Sequence, residues 1–301
     1  MPIDLRIFSM DFAGCALSDC RKNQTECFIV QQQPLAPLVI LGSGYTARFL
    51  WPLVADRAPN VFATSRAPEQ HLSHIPTAQR LRFDLSQPDT WANIPREADL
   101  LWCFPATPLN LVQQFAASLR GLDRRMVLLG STSAYTQGDA QEYPPPWIDE
   151  TAPIDLRQPR VQGEEYLRQE HGAVVLRVAG IYGPGRHPLD WIRTGRVGPT
   201  RKYVNLIQVE DLAAICLAAV ERGNPGEAYN VSDGQPRTWK DICETMMGPV
   251  ARSPADTTAQ TEAGKETGKR IDSTKLLRDL ELRLTHADLF RSLRELASPD
   301  R

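Results

Sequence analysis

The 301-residue sequence contains no run of about 18 consecutive apolar residues, so no part of it reads as a membrane-spanning helix. It lacks a dominant charge: 34 Lys and Arg stand against 36 Asp and Glu, a net charge of −2. No basic stripe offers itself to nucleic acid, and that partner class is set aside. The start lacks a secretory pattern, because Asp4, Arg6 and Asp11 interrupt any apolar stretch. Metal-ligating groups are sparse. Cys15, Cys20 and Cys27 follow one another at spacings of five and seven, which match no zinc pattern, and no histidine is near them, so no metal site is expected. Cys103, Cys216 and Cys243 fall in apolar segments and read as buried free thiols, in keeping with a cytoplasmic protein. There is no internal repeat.

What is present is an ordinary globular composition, 42% hydrophobic and 23% charged, in a chain long enough to bury a large core. Residues 1–33 have no clear periodicity and read as a weakly ordered N-terminal extension. Leu38-Val39-Ile40-Leu41 then runs into Gly42-Ser43-Gly44-Tyr45-Thr46-Ala47. This spells a buried strand, a tight turn and a helix start, the arrangement that sets a pyrophosphate on a helix N-terminus. Gly42 allows the turn, Gly44 lets the backbone approach phosphates, and Ala47 lets the helix pack close to the strand. The N–H groups of the first turn, at Tyr45 and Thr46, then face the anion.

Strand and helix signals alternate from there. Strands are expected at Leu38–Leu41, Val61–Thr64, Leu81–Asp84, Leu100–Phe104, Met126–Leu129 and Ala173–Arg177. Helices are expected at about Thr46–Ala55, Leu109–Leu119, Gln158–Glu170 and Glu210–Arg222, with one amphipathic helical stretch from Ser273 to Leu296. The polar residues 252–268 are expected to form a mobile loop. The fold class is therefore α/β, a Rossmann doubly wound parallel sheet. Residues 34–180 would form the dinucleotide-binding core, and 181–301 would complete the sheet and form a smaller C-terminal substrate-binding region.

After the second strand, about 20 residues past the glycines, an NAD enzyme usually offers a carboxylate to the ribose 2′-hydroxyl. This chain has Thr64-Ser65-Arg66 there instead. Arg66 suits a bidentate pair with a 2′-phosphate, Ser65 can add a hydrogen bond, and Arg48 is a second candidate. NADP is expected over NAD.

Gly42–Ala47, Phe83-Asp84-Leu85, Leu129–Tyr135, Leu176–Gly185 and Val204–Ala213 follow in this order, with Tyr229-Asn230-Val231-Ser232-Asp233 and Lys269–Leu276 further on. On these segments the chain resembles an atypical extended short-chain dehydrogenase/reductase of the NAD-dependent epimerase/dehydratase family, over about residues 36 to 295. The resemblance implies that Asp84 holds the adenine and that Phe104-Pro105-Ala106 line the cofactor's ribose side. It also implies a Tyr-x-x-x-Lys pair on the helix after the fifth strand, the tyrosine as acid/base and the lysine lowering its pKa.

Here the chain departs from the family. Aligning Glu164 to the family's glutamate places Leu156 at the tyrosine and Arg160 at the lysine; the neighbouring register gives Arg157 and Val161. Neither supplies a phenol, and a guanidinium is too weakly acidic to act as a base. Thr132, with Ser133 beside it, sits where the family's Ser/Thr hydrogen-bonds substrate. Tyr182 is a candidate substitute acid, Arg160 can hold a ribose hydroxyl, and His187 is a loop histidine that can titrate near neutrality. Two functions are expected as alternatives. One is an NADP-dependent oxidoreductase or epimerase acting on a small or nucleotide-linked substrate. The other is a non-catalytic NADP-binding sensor or partner protein. The expected assembly is a monomer or homodimer.

Overall fold

The strands β1 (Leu38–Leu41), β2 (Val61–Ser65), β3 (Arg80–Arg82), β4 (Asp99–Trp102), β5 (Met126–Ser131), β7 (Val174–Val178) and β11 (Ala228–Val231) form one seven-stranded sheet. The computed structural model describes residues 36–55, 60–122, 124–136, 142–248 and 267–297. The expectations for residues 1–33 and their cysteines, and nearly all of those for 252–268, lie outside the described residues. The sheet order is β3-β2-β1-β4-β5-β7-β11, and every pairing is parallel. Parallel strands buried on both faces need near-continuous apolar sequence. β1 shows why: all four residues are buried, Leu38 and Ile40 in one apolar cluster and Val39 and Leu41 in another.

The helices between the strands are α1 (Tyr45–Val54), α2 (Pro68–His71), α3 (Leu109–Ser118), α4 (Pro159–His171), α5 (Pro188–Arg193), α6 (Val209–Arg222), α7 (Trp239–Met247), α8 (Thr274–Asp279) and α9 (Leu289–Ala297). α1 packs with α6 over one face of the sheet, and α3 with α4 over the other. Short strand pairs extend the C-terminal part: β8 (Gly180–Tyr182) with β10 (Leu206–Gln208), β9 (Tyr203–Val204) with β12 (Arg237–Thr238), and β6 (Trp147–Ile148) with β13 (Arg270–Ile271). Strand order reverses between β1 and β4, so the crevice at their carboxyl ends is the topological switch point where such sheets bind ligands.

The long C-terminal helix expected from Ser273 to Leu296 is two helices. Glu281 adopts φ +49° just past α8, and Asp211 of α6 takes the backbone N–H groups of Thr285 and His286 at 2.9 Å each. A buried carboxylate thus holds the chain open where amphipathic periodicity alone suggests continuity. No helix among the described residues is long and apolar enough to cross a membrane.

Candidate cofactor cleft and active site

A cleft of about 1030 Å³ opens at the carboxyl ends of β1, β2 and β4. Its floor is the turn Gly42-Ser43-Gly44. Gly42 has φ +99°, a conformation a side chain would strain, and a Cβ there would lie 3.1 Å from Phe104 Cδ1. Its N–H donates to Thr64 Oγ1 at 2.9 Å, which ties the turn to the end of β2. Gly44 differs. Its φ of −70° suits any residue, and a Cβ there would meet no protein atom within 4 Å. Nothing inside the protein demands glycine at this position; the space a side chain would fill belongs to the cleft. Gly44 caps α1, whose N-terminus has no side-chain cap and no acidic residue in its first turn. Those N–H groups are left for an anion.

Beyond the turn the cleft wall is Ser65, Arg66, Gln70, His71, Ser73 and His74, with Arg48 facing them from α1. The far end holds Phe83, Asp84, Leu85, Ser86, Phe104, Thr107, Pro108 and Leu111. Asp84 Oδ1 accepts from the Ser86 N–H at 2.9 Å and from its hydroxyl at 2.7 Å. These bonds, helped by Arg66, hold the Asp84 carboxyl below the usual carboxylate range. Of the expected cofactor residues, Gly42, Gly44, Ser65, Arg66, Asp84 and Phe104 line this cleft. Tyr45 turns its side chain elsewhere: its hydroxyl donates to Pro184 O at 3.0 Å, and Arg186 stacks 4.1 Å over its ring. Thr46 is buried, so like Tyr45 it has only backbone to offer the cleft. Pro105 and Ala106 lie off the cleft. The Ala106 carbonyl instead backs onto α4, where a Cβ on Gly163 would stand 1.9 Å from it.

The second cluster sits at the end of β5. Thr132 and Ser133 enter a single turn of 3₁₀ helix, and Ser131 Oγ accepts from the Ser133 N–H at 3.2 Å. Arg160, in the first turn of α4, donates to Ser131 O and to Ser133 Oγ, each at 3.3 Å. Thr132, Ser133 and Arg160 are therefore brought together. Behind them lies Glu164, 2% exposed, its Oε1 3.8 Å from Arg160 Nε and without a hydrogen bond. Burial pushes its carboxyl up to about 7, against the pull of Arg160. Gly130 makes room for it, since a Cβ there would lie 2.8 Å from Glu164 Oε2. Lys269 closes the other side, with Nζ donating to Thr132 O at 3.2 Å and to Tyr135 O at 2.5 Å.

Leu156 precedes α4, which starts at Pro159, and its side chain is 55% exposed. Proline at the first helical position sets that boundary, so no phenol position exists on the helix one turn before Arg160. Tyr182 is fully enclosed, packed with Leu206, Trp239, Ile242, Leu289 and Leu293, and burial raises its phenol well above the usual range. The structure does not bring it to the Thr132–Ser133–Arg160 cluster. His187 caps α5, its Nδ1 accepting from the Leu189 N–H at 3.1 Å. Among the described residues no group of three His, Cys, Asp or Glu can hold a metal ion.

His71 and His74 carry no part in the reading of the sequence; Glu164 enters it only to set the register of the helix, and Lys269 only as the first residue of a resembling segment. Two of the five histidines standing three apart, just past Arg66, were the available signal. For Glu164 and Lys269 only the fold reveals the neighbours.

No protein-family model matches the chain. It is similar to Protein YeeZ of Escherichia coli strain K12, 28% identical over 171 residues that make up 54% of this chain and 59% of that protein. The chain therefore spans about 59% of the length of the curated relatives it matches. Among solved structures it is similar to a functionally unknown conserved protein from Silicibacter pomeroyi DSS at 27% identity and TM-score 0.64, covering 87% of this chain and 98% of that one. It is also similar to the human epimerase family protein SDR39U1, solved with NADPH, at 18% identity and TM-score 0.60, covering 87% and 99%. With its parallel sheet, switch-point cleft and glycine turn, the chain has the fold of the extended short-chain dehydrogenase/reductases, the NAD-dependent epimerase/dehydratase family.

Proposed function

We propose that this protein is an NADP-dependent oxidoreductase or epimerase of the extended short-chain dehydrogenase/reductase family. It works without the Tyr-x-x-x-Lys pair, on a small or nucleotide-linked substrate. The observation that carries the reading is the open space at Gly44, beside an uncapped and acid-free helix N-terminus in a cleft of about 1030 Å³. A diphosphate fits that cradle and any Cβ would intrude on it. Arg66 and Ser65 stand where a 2′-phosphate would be held, with no carboxylate at the end of β2 to favour a free 2′-hydroxyl. The choice rests on those residues, because the fold itself occurs both in a protein solved with NADPH and in one solved with NAD.

When bound, the nicotinamide supplies hydride transfer. This chain's residues bind and orient. The α1 N–H groups neutralise the diphosphate, Asp84 and Phe104 border the adenine end, and Thr132 and Ser133 offer hydroxyls to a carbonyl or carbinol oxygen. Arg160, already 3.3 Å from Ser133 Oγ, stabilises negative charge on that oxygen or holds a ribose hydroxyl. It moves no proton, because a guanidinium keeps its own at any working pH.

The test is thermal stabilisation by NADP(H) against NAD(H) at equal concentration, in the parent and in Arg66→Asp. Preference for NADP(H), reversed in the variant, is expected; equal stabilisation by both in the parent refutes the cofactor assignment. The solvent-exposed Leu156 favours a second reading, a non-catalytic NADP sensor. Tight NADPH binding with no oxidation by a panel of ketones, aldehydes and nucleotide sugars would select it.

A further inference from the structure

Two half-buried cations meet one short turn at the end of β5, and neither has a hydrogen-bonded counter-charge among the described residues. Arg160 spends Nη2 on Ser131 O and Ser133 Oγ, and its Nη1 has no partner among those residues. Its carboxylate neighbour, Glu164, stands 3.8 Å from Nε with no hydrogen bond between them, and is too deeply buried to meet a ligand. Lys269 reaches the next carbonyl along, Thr132 O, and also Tyr135 O. Burial holds its ammonium below the usual lysine range, and no carboxylate offsets that. The other acids around the turn are engaged elsewhere. Arg157 holds Asp155 at 2.8 Å, Arg168 and Arg177 hold Glu165 at 2.7 and 3.1 Å, and Glu150 accepts the Asn230 N–H at 2.7 Å.

The hydroxyls have the same bias. Ser133 Oγ already accepts from Arg160 at 3.3 Å and from Ser131 Oγ at 3.4 Å, so its own hydrogen is left to donate. Thr132 accepts through its carbonyl from Tyr135 and Lys269, and its hydroxyl has no partner among the described residues. Two cations and two hydroxyls thus present donors to one place without an acceptor. A cation taken partly out of water loses hydration that an opposite charge restores.

We propose that Arg160, Lys269, Thr132 and Ser133 form a seat for a carboxylate, and that the substrate is a small acid carrying it beside the reacting carbon, a 2-oxo or 2-hydroxy acid. This rests on the reading above, in which Thr132 and Ser133 face the reacting oxygen. Arg160 already touches the Ser133 hydroxyl that would hold that oxygen, so an anion on its free Nη1 lies close to the reacting carbon. The planar guanidinium fork matches a carboxylate in shape as well as charge.

The experiment is calorimetric titration of the full chain, NADPH-loaded and unliganded, with glycolate and with glycolamide at constant ionic strength. The two share a hydroxyl and differ by one charge. Glycolate should bind the NADPH-loaded parent about a hundredfold more tightly, the scale of one or two charge-assisted hydrogen bonds. Lys269→Met and Arg160→Gln should each lower that ratio about tenfold, and Lys269→Arg should keep most of it. A purely structural tie at Lys269 would weaken both ligands together and leave the ratio unchanged in Lys269→Met, which overturns the seat. Should Lys269→Met not fold, Arg160→Gln decides in its place. Glycolate binding no better than glycolamide in the parent, or no binding of either, overturns the proposal. Tighter binding of inorganic phosphate than of glycolate overturns the carboxylate assignment. A parent that binds no NADPH yet still prefers glycolate keeps the seat and loses the NADP reading.

Discussion

Replacing Gly44 separates what the turn does for the fold from what it does for a ligand. Its backbone angles are open to any residue and an added Cβ touches no protein atom, so the folded state loses nothing by steric clash. Fewer unfolded conformations favour Gly44→Ala by about 0.4–1 kcal/mol, and a poorer helix cap costs about as much. The net change in stability should stay within about 1 kcal/mol, or roughly 2 °C in Tm for a domain of this size. Ligand binding should respond far more. A diphosphate seated on α1 accepts at least two N–H bonds, each charge-assisted and worth about 1.5–3 kcal/mol, and a side chain at Gly44 holds it away from both. Affinity for NADPH should drop by about a hundredfold or more, with Gly44→Val worse than Gly44→Ala. The assay pairs unliganded thermal unfolding with calorimetric binding. Gly42→Ala is the control: at φ +99° and 3.1 Å from Phe104 it should lose about 1–3 kcal/mol of stability as well as binding. A Gly44→Val protein that folds like the parent and binds NADPH equally well would refute the anion seat.

Other substitutions test neighbouring parts of the site. Glu164→Gln should change how stability depends on pH. The parent's folded state keeps a proton on Glu164 up to about pH 7, whereas the unfolded carboxyl releases it at about 4.5, so parent stability falls as pH rises through that window. The variant should escape a loss on the order of 3 kcal/mol, seen by denaturant unfolding at pH 5 and pH 8; identical pH dependence would refute the burial account. Gly163→Ala should lower Tm by several degrees, because a Cβ 1.9 Å from the Ala106 carbonyl costs about 1–3 kcal/mol or more in overpacking against roughly 1 kcal/mol of helix propensity gained. Tyr182→Phe should shift Tm by only a few degrees and leave NADPH affinity unchanged, since its buried hydroxyl meets Ser292 inside an apolar cluster; a large loss of turnover would return it to the active site.

The sheet core was legible because parallel strands buried on both faces must be written as apolar runs. Leu38–Leu41 was read to the residue, and β2, β4, β5 and β7 to within two residues at either end. The glycine turn was legible for the same local reason, as Gly42 needs its positive φ whatever surrounds it. Elements whose partners are distant in sequence were not. β6 and β13 are two residues each and exist because Trp147-Ile148 and Arg270-Ile271 lie alongside one another. The helix break after Asp279 depends on Asp211, some 70 residues earlier. In the site, the family resemblance points to Thr132 and Ser133 by their place just before Tyr135, and to Arg160 by the register that Glu164 sets. The raised pKa of Glu164 comes from burial beneath β5, which no local pattern encodes.

The edge strand β11 has a consequence for how the molecule is made. It pairs Ala228–Val231 with Val175–Val178 of β7, and the residues on both sides of that ladder are buried. About 50 residues separate the end of β7 from the start of β11. At a synthesis rate of roughly 5–20 residues per second, β7 spends several seconds as an unpaired edge on the nascent chain, apolar but for Arg177. Chains that stop before residue 228 never cover it. Prematurely terminated products should therefore be the aggregating species in cells, and a nascent-chain chaperone should be needed most in the interval between β7 and β11.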